Sequence, residues 1–436
     1  MMRREVHTAR IEKFSHDGRG LARVDGKVTF IEGALPGETV TFNVTKQKRD
    51  FNEGRLLEVL VASTERVSPR CVHFGVCGGC SLQHLNEHSQ IHVKQLELID
   101  LLARVGHVTP EKILAPLTSS SWHYRNKARL SVRHVPKTKT VLVGYREKHD
   151  PSCIVDVKTC SVLNESIPIA ALQSLVLSFD DPRMIPQIEV AVGDDEAALI
   201  IRHMSALSSA DESNLREFSE QFKIKIYLQP KGVDSVHLFY PPSSDDFLVY
   251  RLPEHGITFQ FHPTDFTQVN AGLNQKMVTL SLELLALNDE DIVLDLFCGL
   301  GNFTLPIAKH CRAVIGVEGT ATMVKRAQMN AERNGLNNTT FLARNLDDSA
   351  VMNDLKRFGA NKLLIDPPRT GAYSFVKEIH TLALERLVYV SCNPATLARD
   401  LGYLVHEQGY HLSAVGVMDM FPHTAHVESI ALLEKK

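Results

Sequence analysis

Ile292-Val-Leu-Asp-Leu-Phe-Cys-Gly-Leu-Gly-Asn-Phe-Thr304 decides the fold. A short apolar run breaks at Asp295 into a glycine turn, and a helical pattern follows. The segment therefore reads as strand, turn and helix. Gly299 and Gly301 let the backbone approach a ligand closely. The same pattern recurs downstream. Ala313-Val-Ile-Gly-Val runs to Glu318, and Thr340-Phe-Leu-Ala precedes Asn345. Lys362-Leu-Leu-Ile precedes Asp366-Pro-Pro-Arg369, and Leu387-Val-Tyr-Val precedes Ser391-Cys-Asn-Pro394. Strands alternating with helices predict a doubly wound α/β domain over 263–436.

The chemistry in this pattern sits at strand ends. Glu318 is placed to accept hydrogen bonds from both ribose hydroxyls of a nucleoside cofactor. The turn is Asp-x-Phe-x-Gly-x-Gly, so no pyrophosphate cradle of the Gly-x-Gly-x-x-Gly kind is implied. With Asn345 placed for an adenine edge, the pattern points to S-adenosylmethionine. Asp366-Pro-Pro is followed by Arg369, where methyltransferases acting on planar amines carry an aromatic residue. Cys392 stops a buried strand and faces the predicted helix that begins near Ala395. An isolated cysteine is usually a buried structural residue, but this position suits a nucleophile. Its thiol needs a lowered pKa, and the helix N-terminus is expected to help.

Outward from this domain, the 436 residues allow two or three domains. Apolar content of 44% and charged content of 23% are those of ordinary cores. A net charge of −3 means that any nucleic-acid role rests on a local patch. No apolar run is long enough to span a bilayer. The Met1–Arg4 start leads into no signal core, so a cytoplasmic protein without a membrane partner is expected. Eight cysteines in a reducing compartment suggest metal ligation or catalysis.

Residues 8–62 read as about five short strands with glycine turns, a small barrel. Lys46, Lys48, Arg49 and Arg55 cluster there and fit phosphate contacts. Cys71-x5-Cys77-x2-Cys80, with Gly78-Gly79 in the turn, is a metal signal. Cys153 and Cys160 are both candidates for a fourth ligand. Thiolates suit zinc or an iron–sulfur cluster, and His73 and His84 keep zinc open. Residues 122–148 hold eight Lys/Arg against one acid, with Trp122 and Tyr124 at the edge. Cations interleaved with aromatics suit a single-stranded nucleic-acid surface, with rings for stacking. Residues 160–262 alternate as an α+β insertion, with an exposed helix over 208–220.

Two resemblances follow from these residues. Gly18-Arg-Gly20, Phe30-Ile-Glu-Gly-Ala-Leu-Pro-Gly-Glu38 and Ser63-Thr-Glu-Arg66 resemble a TRAM domain, an OB-like RNA-binding barrel. The catalytic motifs resemble the RNA uracil-C5-methyltransferase family. They are Phe266-Thr-Gln-Val-Asn270, Asp295 to Phe303, Asp366-Pro-Pro-Arg369, Ser391-Cys-Asn-Pro394 and Phe421-Pro-His-Thr-Ala-His-Val-Glu-Ser429. Thr267 departs from many relatives, which have an aromatic or aliphatic residue there.

Together with the barrel and the cysteine motif, the match resembles the branch that methylates 23S ribosomal RNA. It implies a TRAM barrel over 1–68, a central iron–sulfur and RNA-binding domain over 69–262, and a Rossmann-like catalytic domain over 263–436. Residues 90–121 are implied to pack with the catalytic domain. The resemblance implies Cys392 as nucleophile, Glu428 as base and Asp366 as the residue holding the uracil edge. It assigns Gln268, Phe297, Asn302, Glu318, Asn345 and Asp366 to the cofactor, and Cys71, Cys77, Cys80 and Cys160 to a 4Fe–4S cluster. A monomer with no protein partner is expected. The rivals are a transfer-RNA uracil methyltransferase, an RNA-binding iron–sulfur protein with a vestigial methyltransferase fold, and an amino-nitrogen methyltransferase.

Overall fold

A computed structural model describes residues 5–242, 245–348 and 350–435, so the Met1–Arg4 start lies outside the described residues. Six strands between Val6 and Val61 form the N-terminal sheet. Alternating positions in them, among them Ala22, Ile31, Val40 and Phe42, point into a small core. The exit from this barrel is locked. Glu38 is fully buried and accepts from Leu35 N, Ser63 N and the Arg66 guanidinium, the last at 2.6 and 2.8 Å. Burial opposes its ionisation, but Arg66 and the two amides outweigh burial and hold the carboxyl below its usual range. Lys148 pairs with Glu32 at 2.6 Å and joins the barrel to the central domain.

The central domain is a second six-stranded sheet, with Lys127–Val135 and Thr140–Gly144 at one side and His237–Tyr240 at the other. Helices Ile169–Leu177 and Ser209–Phe222 contribute to its core. Ser208 caps the second helix, its hydroxyl accepting from Asp211 N while Asp211 accepts from Ser208 N. The hairpin Leu248–Leu252 with Ile257–Phe261 packs its Leu252, Ile257 and Phe259 into the catalytic core.

The catalytic sheet has eight strands. Its order is Thr339–Ala343, Ala313–Glu318, Ile292–Leu296, Lys362–Ile365, Arg386–Ser391, Glu428–Lys435, Tyr410–Met418 and Lys112–Ile113. The first five run parallel, and Glu428–Lys435 is antiparallel to both neighbours. The last strand comes from far upstream in the chain. The helix Glu87–Leu101 and the π-turn Leu102–Gly106 also join this domain, burying Ile91, Leu98 and Leu102 in its core. The π-turn crosses the helix Pro394–His406 so closely that a Cβ on Gly402 would lie 2.6 Å from the Gly106 carbonyl oxygen. Among the described residues no helix is long and apolar enough to cross a membrane.

Candidate active site

Strand register brings the proposed nucleophile and base together. In the antiparallel pair Arg386–Ser391 and Glu428–Lys435, Ser391 faces Ser429. One step further along, Cys392 comes opposite Glu428. The neighbouring parallel strand Lys362–Ile365 ends beside them, where Asp366 N donates to Leu296 O at 3.2 Å. Pro367 and Pro368 keep that loop from continuing as helix. All three side chains line one cavity of about 1130 Å³.

This is a crowded place for acids. Glu428 is only 4% exposed. Burial, then the Asp366 carboxylate, pushes it well above the usual carboxyl range. Burial pushes Asp366 up to about 7. The Cys392 thiol is pushed up to about 11 by burial and then by Glu428 and Asp366, with Arg369 acting the other way. The lowering expected from the helix N-terminus is therefore outweighed by burial and by the two carboxyls that face the sulfur. The Arg369 guanidinium lies 3.0 Å from His426 Nδ1.

The cofactor end of the same cavity is built by the glycine turn. Gly299 and Gly301 have φ of +53° and +88°, and Phe297 holds the left-handed region at +62°. A non-glycine residue there signals a constrained backbone. Glu318 ends its strand and accepts from Gly299 N at 3.3 Å and Thr320 N at 3.1 Å. Asp295 is fully buried, bonded to Thr304, and its Oδ1 has no partner. At Gly299, where a Cβ would meet nothing nearer than 3.9 Å, the turn opens on the cavity beside the Glu318 carboxylate, which fits a cofactor carrying N–H or O–H donors. Gln268, Phe297, Glu318 and Asp366 line the cavity. Asn302 and Asn345 do not. Asn302 lies behind the turn, exchanging two 2.9 Å bonds with Asn274. Asn345 is exposed beyond its strand, its side chain turned to Asp347 N.

Cys71, Cys77, Cys80 and Cys160 line the far end of this cavity, whereas Cys153 bonds Asp150 outside it. Burial, and then the other thiols, push Cys77 up to about 11 and Cys80 up to about 12, with Gly79 N and Gln83 opposing. Four converging thiols with peptide N–H groups nearby are a donor set for a thiolate-bound centre. Among the described residues no group of three or more His, Cys, Asp or Glu is placed for a single metal ion.

The expected stacking surface is also corrected. Trp122 and Tyr124 are not open stacking platforms. Trp122 lies flat on His423, with centroids 3.8 Å apart, and under the Arg70 guanidinium. Tyr124 is buried and donates to Pro422 O. Their partners are far away in sequence, so composition alone placed the rings in solvent. Several cations of the 122–148 stretch are also engaged: Lys127 on Pro263 and Asp265 carbonyls, Arg129 on Glu189 and Lys148 on Glu32. Arg133, Lys137 and Lys139 remain exposed. Among the aromatics that line the cavity, Phe266 stands out at 71% exposed. Its motif was legible, but its role was not.

Comparison with known proteins agrees with this geometry. Residues 1–57 match the TRAM domain family model, and residues 242–436 match that of tRNA (Uracil-5-)-methyltransferase. A Legionella pneumophila (strain Corby) protein named 23S rRNA (uracil(1939)-C(5))-methyltransferase RlmD is 56% identical over 430 residues, 98% of this chain and 97% of that one. The protein of the same name from Xanthomonas campestris pv. campestris (strain 8004) is 52% identical over 433 residues, 98% and 96% of the two chains. Among solved structures, Pyrococcus abyssi tRNA (uracil-54, C5)-methyltransferase with S-adenosyl-L-homocysteine shares the fold. Its TM-score is 0.74 at 23% identity, over 98% of this chain and 100% of that one. With more than half its residues shared along nearly the full length of such relatives, the protein belongs to the RNA uracil-C5-methyltransferase family, in the branch named for 23S ribosomal RNA.

Proposed function

We propose that the protein transfers a methyl group from S-adenosylmethionine to C5 of a uridine in 23S ribosomal RNA, the counterpart of the uracil 1939 in its relatives' names. The observation that carries the reading is Cys392 opposite Glu428, beside Asp366, in one cavity with the Glu318 turn. Relatives above 50% identity favour this target over transfer RNA.

C5 of uracil is a weak nucleophile. Cys392 adds as thiolate to C6, and negative charge spreads over C5 and O4. Arg369 is the cation beside the sulfur. Asp366 hydrogen-bonds the uracil edge and fixes the ring. S-adenosylmethionine, when bound, supplies the electrophilic methyl group. Gln268, Phe297 and Glu318 hold it from the cavity wall, with Asn302 and Asn345 assigned by family likeness. Glu428 then takes the C5 proton. The C5–H electrons form the C5=C6 bond, and the C6–S bond breaks towards sulfur. A paired uridine hides C6, so the target enters flipped out or single-stranded. Phe266 offers a ring on which it can stack.

In this reading Cys71, Cys77, Cys80 and Cys160 hold a 4Fe–4S cluster. The barrel and Arg133, Lys137 and Lys139 grip flanking RNA. A single chain acts in the cytoplasm, where ribosomal RNA resides.

RNA carrying 5-fluorouridine at the target keeps a fluorine at C5, so the adduct cannot resolve. A protein–RNA band stable to denaturation is expected, and it is absent in Cys392→Ala. A band of equal intensity in that variant overturns the mechanism. Iron in anaerobically purified protein supports the cluster, and one zinc without iron removes it.

A further inference from the structure

The helix Glu87–Leu101 carries no reacting group, yet it meets the catalytic domain with a polar face. Glu87, Gln90 and Lys94 share one side at helical spacing. Lys94 donates to Asp419 Oδ1 at 2.7 Å and Phe421 O at 3.2 Å. Glu87 accepts from Trp122 Nε1 at 2.7 Å, and Trp122 stacks on His423. Gln90, 1% exposed, holds His423 directly. Its Oε1 accepts from His423 N at 2.7 Å, and its Nε2 lies 3.1 Å from His423 Nδ1. The same Nε2 donates to Leu82 O and Leu85 O at 3.1 and 2.9 Å. One carboxamide thus joins the cysteine loop to the 421–426 loop. Ser81 completes the clamp. Ser81 N and Leu82 N donate to His423 O, both at 2.9 Å, and Ala425 N donates to Ser81 Oγ at 3.0 Å.

His423 needs this support, because its φ of +64° is one that side-chain-bearing residues seldom hold. Its neighbours Phe421, Thr424 and His426 wall the cavity beside Cys392 and Glu428. Resting on the uracil reading, we propose that Gln90 is a positioning residue for that chemistry: it holds the 421–426 wall closed so that Glu428 meets the C5 proton of the adduct. Gln90 touches no reacting atom. Cys392 and Asp366 stand on other strands, so thiol addition does not depend on the clamp. Removal of the C5 proton, with re-formation of C5=C6 and departure of sulfur, does.

The test uses the full chain with Gln90→Met, which keeps the shape and deletes all four contacts, and Ser81→Ala, which deletes only the Ala425 contact. Turnover of Gln90→Met is expected to fall at least about tenfold, with KM for RNA within about threefold and covalent adduct accumulating on ordinary uridine. Amide exchange over 421–426 should quicken by about tenfold, while 5-fluorouridine adduct forms at near the wild-type rate. Ser81→Ala should fall between wild type and Gln90→Met in turnover and exchange. Unchanged turnover in Gln90→Met overturns the proposal. So does joint loss of fluorouridine adduct formation and S-adenosylhomocysteine binding, which marks a merely structural residue. If Gln90→Met does not fold, a Ser81→Ala protein identical to wild type in turnover and exchange overturns it as well. Wild type that forms no fluorouridine adduct refutes the uracil reading itself.

Discussion

Asp366→Asn should make the protein more stable and less active at once. Burial lifts the folded-state pKa of Asp366 from 3.8 to about 7. Below pH 3.8 the carboxyl is protonated folded and unfolded, and it costs nothing. As pH rises from there, the unfolded chain ionises while the folded chain holds its proton, and stability falls by about 1.4 kcal/mol per pH unit. Above pH 7 both states are ionised and the penalty levels at about 4 kcal/mol. Asparagine carries no such penalty, and its neutrality also relieves Glu428. The stability gain of Asp366→Asn over wild type should therefore be about 3 kcal/mol larger at pH 8 than at pH 5. Trp122, the only tryptophan, is stacked against the 421–428 loop and reports unfolding in urea by fluorescence. Methyl transfer should meanwhile drop by at least about a hundredfold, the common exchange of stability for function at such sites. A gain that is the same at both pH values, or a variant less stable than wild type at pH 8, refutes the reasoning.

Glu428→Gln should slow turnover by about 10²–10⁴-fold and trap Cys392 on ordinary uridine, seen as a retarded band on a denaturing gel; free product at wild-type rate excludes Glu428 as base. Gly402→Val places side-chain atoms against the Gly106 carbonyl, already 2.6 Å from a Cβ. It should cost about 1–3 kcal/mol by overpacking, read as a lowered urea midpoint, and an unchanged midpoint contradicts the packing. Lys137→Gln with Lys139→Gln should flatten the plot of log affinity against log salt by about two, one per lost phosphate contact, with kcat unchanged. An unaltered slope takes these lysines out of the RNA surface.

The strand ends were legible because a buried parallel strand is a continuous apolar run, and Asp366 and Cys392 each interrupt one. What joins Cys392 to Glu428 was not. They meet through the register of an antiparallel pair in which Ser391 faces Ser429, 38 residues further along the chain. No local period encodes that offset. The helix over 87–101 was hidden for a different reason. Ile91 and Leu98 reach the apolar core, but the buried Gln90 and Lys94 beside them face a polar loop, so the apolar stripe by which helices are found is broken. Trp122 misled because the ring that covers it belongs to His423. The cations of 122–148 were counted correctly but not their carboxylate and carbonyl partners, which leave only a few free for RNA.

The locked exit of the barrel has a consequence for how RNA is chosen. Glu38 grips Arg66 just past the last strand, Arg66 bridges Leu85, and Lys148 pins Glu32. A module on a loose tether raises the effective concentration of any RNA it captures, whatever the spacing between capture point and target. A barrel bolted in place works as a ruler. If the barrel grips flanking RNA as proposed, only an RNA whose gripped segment and target uridine are separated by the span of the protein can satisfy both at once, so discrimination would come from length and shape as much as from the bases touched.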